Sequence, residues 1–231
     1  MTHVTRSSPP TPFMFAPGED LADEILKLVL FGPSGVGKTS VVQRLIERLP
    51  DKVCVSTSWT TRARRMGEVD GIHYHFRSYD QYKQVMALRG FVEWAEVHGH
   101  YYGTPIDPIR EAARKGQRAM LFPIDWQGGE QLARRLRRVT QVMLVPPSLA
   151  TLEERLRGRG TDDDATITRR LVNAVTELAH FDQAEVILVN DQSERVADQL
   201  VRLINGETVP SDCDGTAIER LIAGDTLHVA A

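Results

Sequence analysis

Apolar residues along this chain fall into two rhythms. Short, nearly unbroken apolar runs at about 26–31, 52–57, 118–124, 139–145 and 185–190 predict strands. Between them apolar positions recur every three or four residues, predicting helices at about 38–49, 106–115, 127–136, 148–157, 163–180 and 194–204. The longest carries Ile167, Leu171, Val175 and Leu178 on one stripe. Strands with no polar face, alternating with one-sided helices, are what a parallel sheet covered on both faces requires, so the expected class is α/β. Two stretches interrupt the alternation. Residues 58–105 contain small strands of their own and a helix that Ser78 opens, with Gln81 at capping-box spacing, and Gly90 closes. Around 155–170 lies an arginine-dense segment containing RGRGTDDD.

The sharpest local signal is GPSGVGKT, Gly32 to Thr39, directly after the first apolar run and directly before the first amphipathic one. Strand, glycine-rich loop and helix in that order make a phosphate-binding loop, in which backbone N–H groups wrap an anion at the positive end of a helix. The candidate triphosphate-binding residues are Gly32, Pro33, Ser34, Gly35, Val36, Gly37, Lys38, Thr39 and Ser40. Lys38 can reach the β- and γ-phosphates, and Thr39 can offer its hydroxyl to Mg²⁺, the metal expected here.

The ends differ from the middle. Pro9, Pro10, Pro12 and Pro17 stand among Ser and Thr with no apolar period, and the segment from Gly206 on is acidic with only a short apolar stretch around Ile218 to Ile222. We expect a disordered tail over 1–24, a domain over 25–205, and an acidic tail over 206–231 that is largely disordered, with one helical turn near the C-terminus. A net charge of −3 argues against a nucleic-acid partner, yet 28–205 alone carries +3, which suits small anionic substrates. No apolar run is long enough to span a membrane, and prolines stand where a signal peptide needs an apolar core, so the expected location is cytoplasmic. Cys54 and Cys213 lack metal-ligand spacing and read as ordinary thiols; Arg134, Arg135, Arg137 and Arg138 read as a solvated helix face.

TTRARRMGEVDGIHYHF (Thr60 to Phe76), FVEWAEVHGHYYGTP (Phe91 to Pro105), IDWQG (Ile124 to Gly128) and PPSLATLEERLRGRGTDDD (Pro146 to Asp164), in this order after the phosphate loop, closely resemble guanylate kinases over about 28–204. The resemblance implies a P-loop kinase core with two insertions: a nucleoside-monophosphate-binding one at 58–105 and a lid at 155–170. It implies that Arg62, Arg65, Tyr74 and Tyr102 grip the acceptor phosphate, where guanidinium forks pair with phosphate oxygens and phenols add directional bonds without charge. Arg64 has no such counterpart and reads as solvated. Ser58, Glu93, Thr104 and Asp125 match the guanine site; carboxylates suit the N1–H and amino donors of guanine, and hydroxyls suit O6. Glu93 is flanked by Phe91, Val92, Trp94 and Ala95, where a carboxylate needs a partner. Arg155, Arg159 and Arg170 correspond to lid residues near the transferring phosphoryl, and Asn190 and Asp191 to a segment near the adenine.

Two positions depart from the family pattern. Pro123 stands where an acidic residue is usual, and Trp59 where a small one is. The implied activity is ATP-dependent phosphorylation of GMP, and of dGMP because no residue identified reads the 2′-hydroxyl. The alternatives are a catalytically silent binding module of the same fold, or a kinase of another small phosphorylated substrate. A working Gly37-Lys38-Thr39 sequence argues against the first, and intact guanine positions argue against the second.

Overall fold

The computed structural model describes residues 24–65, 67–97, 99–158, 160 and 162–227. In chain order its strands are β1 (Leu26–Phe31), β2 (Val53–Val55), β3 (Trp59–Thr60), β4 (His75–Phe76), β5 (Phe91–Val97), β6 (His100–Pro105), β7 (Ala119–Phe122), β8 (Val139–Val145) and β9 (Val186–Val189). Its helices are α1 (Lys38–Arg48), α2 (Tyr79–Ala87), α3 (Asp107–Arg114), α4 (Trp126–Arg135), α5 (Leu149–Arg157), α6 (Asp164–Leu178), α7 (Ser193–Ile204) and α8 (Gly215–Ala223).

Five strands form a parallel sheet in the order β2-β7-β1-β8-β9. Because successive strand residues point to opposite faces, each apolar run feeds two cores at once. Val29, Phe31, Met143 and Val145 pack on one face with Ile109 of α3, Leu132 of α4 and Leu221 of α8. Leu28, Leu30, Val142 and Leu144 pack on the other with Val41 and Leu45 of α1 and Val196 and Leu200 of α7. The doubly covered sheet predicted from the pattern is thus present. β7 stops at Phe122, since Pro123 has no N–H to give a ladder; Ile124 N–H turns back to the Phe122 carbonyl at 2.9 Å. Helices α5 and α6 share a third, smaller core of Leu152, Leu156, Ile167 and Ala174. Ala174 thus joins the stripe predicted on α6, on which Val175 is only half-buried.

The first insertion folds into a second sheet, β4-β3-β6-β5. Its helix α2 has the predicted capping box, with Gln81 N–H donating to Ser78 Oγ at 3.2 Å and Ser78 N–H to Gln81 Oε1 at 3.0 Å. Edge strand β5 is latched to α4. Gln131 mimics a neighbouring strand, accepting from Trp94 N–H at 3.4 Å and donating to the Trp94 carbonyl at 3.2 Å, and Arg135 donates to the Val92 carbonyl at 2.6 Å. Arg135 is therefore half-buried structure rather than the solvated side chain expected, whereas Arg134 is exposed and paired with Glu130.

Composition misled at the C-terminus. Where a largely disordered acidic tail was expected, α8 runs from an Asp214 cap, whose carboxylate accepts from Ala217 N–H at 2.9 Å, to Gly224 in the left-handed conformation (φ 108°). Ile218 and Leu221 are fully buried in the first core. Acidity on the outer face outweighed a capped, correctly spaced apolar pair. The expected N-terminal tail, except Glu24, lies outside the described residues.

Candidate active site

At the end of β1 the chain turns through Gly32, Gly35 and Gly37, all at positive φ (126°, 93° and 105°). Two of these glycines are also required by space: a Cβ on Gly32 would stand 2.1 Å from the Leu144 carbonyl oxygen, and one on Gly37 2.4 Å from Asn190 Nδ2. Lys38 opens α1 and turns its ammonium back over the loop, donating to the carbonyls of Gly32 and, at 3.2 Å, Pro33. Ser34, Thr39 and Ser40 are exposed at the loop rim, and Val36 is buried beneath it.

The loop is held from below by the segment after β9. Asn190, buried, donates to the Val36 carbonyl at 2.7 Å; its own Oδ1 is buried with no partner among the described residues. Arg155, at the end of α5, donates to the same Val36 carbonyl at 3.2 Å and to the Asn190 carbonyl at 2.8 Å. Burial lowers the Arg155 pKa from its usual value. With Gly35, Gly37, Ser40, Asp191 and Ser193 these two line a cavity of about 310 Å³ beside the loop. Arg170 on α6 reaches Ser34 Oγ at 3.3 Å and pairs with Asp162 at 3.3 Å. Arg159 lies outside the described residues.

On the insertion side, Ser58 Oγ, Thr104 Oγ1 and the Glu93 carboxylate form one line: hydroxyl to hydroxyl at 3.2 Å, then Thr104 donating to Glu93 Oε1 at 2.5 Å. Glu93 is 6% exposed. Burial pushes its carboxyl up to about 7, and the charge of Asp125 adds to the rise. Asp125 caps α4, accepting from Gly128 N–H at 2.8 Å, and a Cβ on Gly128 would sit 3.4 Å from both the Asp125 and Glu93 carboxylates. A small residue at Gly128 thus lets the two acids face one space. Nearby, the Arg62 guanidinium lies 5.7 Å over the Tyr74 ring, which meets Tyr102 edge-on at 5.8 Å. The Arg65 side chain is exposed. Trp59 packs edge-on against Phe91 at 5.7 Å under the Arg77 guanidinium, so this departure fills space within the second sheet.

Three residues with no role in the sequence reading stand in this cleft. Glu68 holds Arg62 with a two-pronged pair at 2.7 and 3.0 Å and accepts from Arg65 N–H at 2.7 Å; these donors hold its carboxyl down to about 2. Its signal was legible as an acid close behind three arginines, Arg62, Arg64 and Arg65. Asp162 holds Arg170. Glu177 of α6 has its carboxyl raised by burial; the charge of Lys38 lowers it and that of Asp125 raises it. Nothing local marks Glu177, whose burial arises only when α6 docks.

The same chain thus carries a glycine loop with its lysine and a second sheet that presents a buried carboxylate and an arginine–tyrosine cluster. A sequence model of guanylate kinase matches residues 25–207. The chain belongs to the guanylate kinase family. It is 43% identical over 197 residues to a guanylate kinase of Nitratidesulfovibrio vulgaris, covering 85% of this chain and 94% of that protein. With a guanylate kinase of Maricaulis maris it shares 44% identity over 181 residues, 78% of this chain and 82% of the other. The crystal structure of guanylate kinase from Anaplasma phagocytophilum superposes with a TM-score of 0.60 at 29% identity, covering 79% of this chain and 85% of that one. The match to the guanylate kinase model ends at residue 207, before α8.

Proposed function

We propose that the two sides of this cleft hold ATP and GMP for direct phosphoryl transfer, giving ADP and GDP. The chain is a guanylate kinase, an ATP-using phosphotransferase. In our reading the phosphate loop, Gly32 to Ser40, carries the triphosphate, with Asn190 and Asp191 at the nucleoside end. Ser58, Glu93, Thr104 and Asp125 read guanine, while Arg62, Arg65, Tyr74 and Tyr102 take the acceptor phosphate. A GMP phosphate oxygen attacks the γ-phosphorus as the bond to the β,γ-bridging oxygen breaks; no covalent intermediate with the protein is needed. Lys38, Arg155, Arg159 and Arg170 act on the charge of the transferring group, chiefly by position and exclusion of water.

Mg²⁺ fits the loop. Thr39 offers an exposed hydroxyl next to Lys38, and a hard oxygen donor joined by phosphate oxygens and water is the set this ion takes. Bound there, it would neutralise charge between the β- and γ-phosphates. The helices of the described residues include none long and apolar enough to cross a membrane, and we place the enzyme in the cytoplasm with its substrates. dGMP is accepted as well.

The observation that carries the reading is Glu93, a carboxylate buried in an apolar strand yet aligned with two hydroxyls and a second acid. Such a line is costly to bury and complements the donor and acceptor edge of guanine. A coupled assay of ADP formation with GMP, AMP, CMP and UMP tests it. Turnover confined to GMP and dGMP is expected, and equal turnover with AMP would overturn it.

A further inference from the structure

We propose that the segment beyond residue 207 braces the ATP side of the cleft, with Asp212 and Arg195 as positioning residues. The proposal rests on assigning the cavity beside Asn190 and Asp191 to ATP. β9 is the edge strand of the main sheet, and on its open side Ile187 N–H donates to Ser211 Oγ at 2.9 Å, Asp212 N–H to the Ile187 carbonyl at 2.8 Å, and Val189 N–H to Asp212 Oδ2 at 2.9 Å. The Asp212 carboxylate, 7% exposed, also accepts from Gln199 at 3.0 Å and from both terminal nitrogens of Arg195 at 3.2 and 3.0 Å. Strand edge and α7 thus fix it in place.

Arg195 shares its fork with a second acid. Its Nε and one terminal nitrogen donate to Asp191 Oδ1 at 3.0 and 2.9 Å, and it also donates to the Val189 carbonyl. Asp191 is a wall of the cavity beside the phosphate loop. Asp212 therefore holds Arg195, and Arg195 holds Asp191. A planar guanidinium can bridge two carboxylates in fixed directions, which a lysine cannot. The same segment touches the lid supports: Leu227 N–H donates to the Pro147 carbonyl at 2.7 Å just before α5, and Gly215 of α8 lies so close to the Phe181 ring after α6 that a Cβ would meet it at 2.5 Å. Arg155 and Arg170 ride on those two helices.

The test measures binding of ATP, of inorganic tripolyphosphate and of GMP to full-length wild type, Asp212→Asn, Arg195→Lys and Asn190→Ala. Asn keeps the shape of Asp212 and Lys keeps the charge of Arg195, so both variants retain the edge cap while losing the bridged pair. ATP binding should weaken on the order of tenfold in each, the loss expected when a charged hydrogen-bonded partner is removed. Tripolyphosphate, which needs only the phosphate loop, and GMP should bind within about twofold of wild type. Unchanged ATP binding in both brace variants, with weakened binding in Asn190→Ala, overturns the brace alone. Equal weakening of all three ligands also overturns it, since the segment would then be only a structural cap. Unchanged ATP binding in Asn190→Ala as well overturns the cavity assignment on which the brace rests.

Discussion

Glu93→Gln removes one ionisation from the guanine side of the cleft while keeping the shape of the side chain, and the structure sets the size of the effect. Burial lifts this carboxyl from 4.5 to about 7. The folded chain therefore holds the proton more tightly than the unfolded chain does, so the favourable contribution is complete below pH 4.5 and is lost as pH rises through 7. The loss is of the order of 3 kcal/mol, at about 1.4 kcal/mol per pH unit. In the proposed site GMP reverses the preference, because guanine N1–H and its amino group are donors and need the ionised form. Binding near pH 7 should expel a proton, and affinity should fall toward tenfold per unit below pH 7. The GMP phosphate, with a second pKa of about 6, contributes a separate slope. Titration calorimetry at pH 5.5, 7 and 8.5, in buffers of different ionisation enthalpy, separates the two. Wild type should release a proton that Glu93→Gln does not, and the variant should keep only the phosphate slope. Identical proton release by both would remove Glu93 from guanine recognition, as would an unchanged preference for GMP in Glu93→Ala.

Lys38→Ala should lower kcat on the order of 10²-fold or more, because an ammonium aimed at the transferring group stabilises charge that develops only in the transition state; near-normal turnover would displace the phosphate site. GMP with a non-hydrolysable ATP analogue should draw the second sheet and the α5–α6 hairpin toward the core, shrinking the radius of gyration in solution scattering, and unchanged profiles would argue against closure. Pro123→Asp should raise kcat without changing the KM for GMP, since in the proposed site Glu93 and Arg62 hold the acceptor and a new carboxylate would orient arginines or water. A folded variant with no gain, judged by its Tm alongside its rate, would mean the native site already compensates.

The core was legible because its signals are local. β1, the phosphate loop and α1 each carry their own pattern, and the unbroken apolar runs in β1, β7, β8 and β9 follow from burial on both faces. Ser78, Gln81 and Pro123 act within a few residues of themselves. What escaped depends on distant partners. Arg135 looks like any helix-surface arginine until the Val92 carbonyl on an edge strand meets it, Glu177 is half-buried only by docking, and α8 was hidden by composition although Asp214, Ile218, Leu221 and Gly224 already spelled a capped amphipathic turn. In Glu68 the sequence showed an acid among arginines but not which arginine it would hold.

The most direct test is a crystal structure with GMP and a non-hydrolysable ATP analogue bound together. Guanine should be seated on the Glu93 carboxylate, its phosphate between Arg62 and the two tyrosines Tyr74 and Tyr102, and the γ-phosphate at Lys38 in line with it. Guanine bound away from Glu93, or an acceptor phosphate that does not face the loop from Gly32 to Thr39, would contradict it.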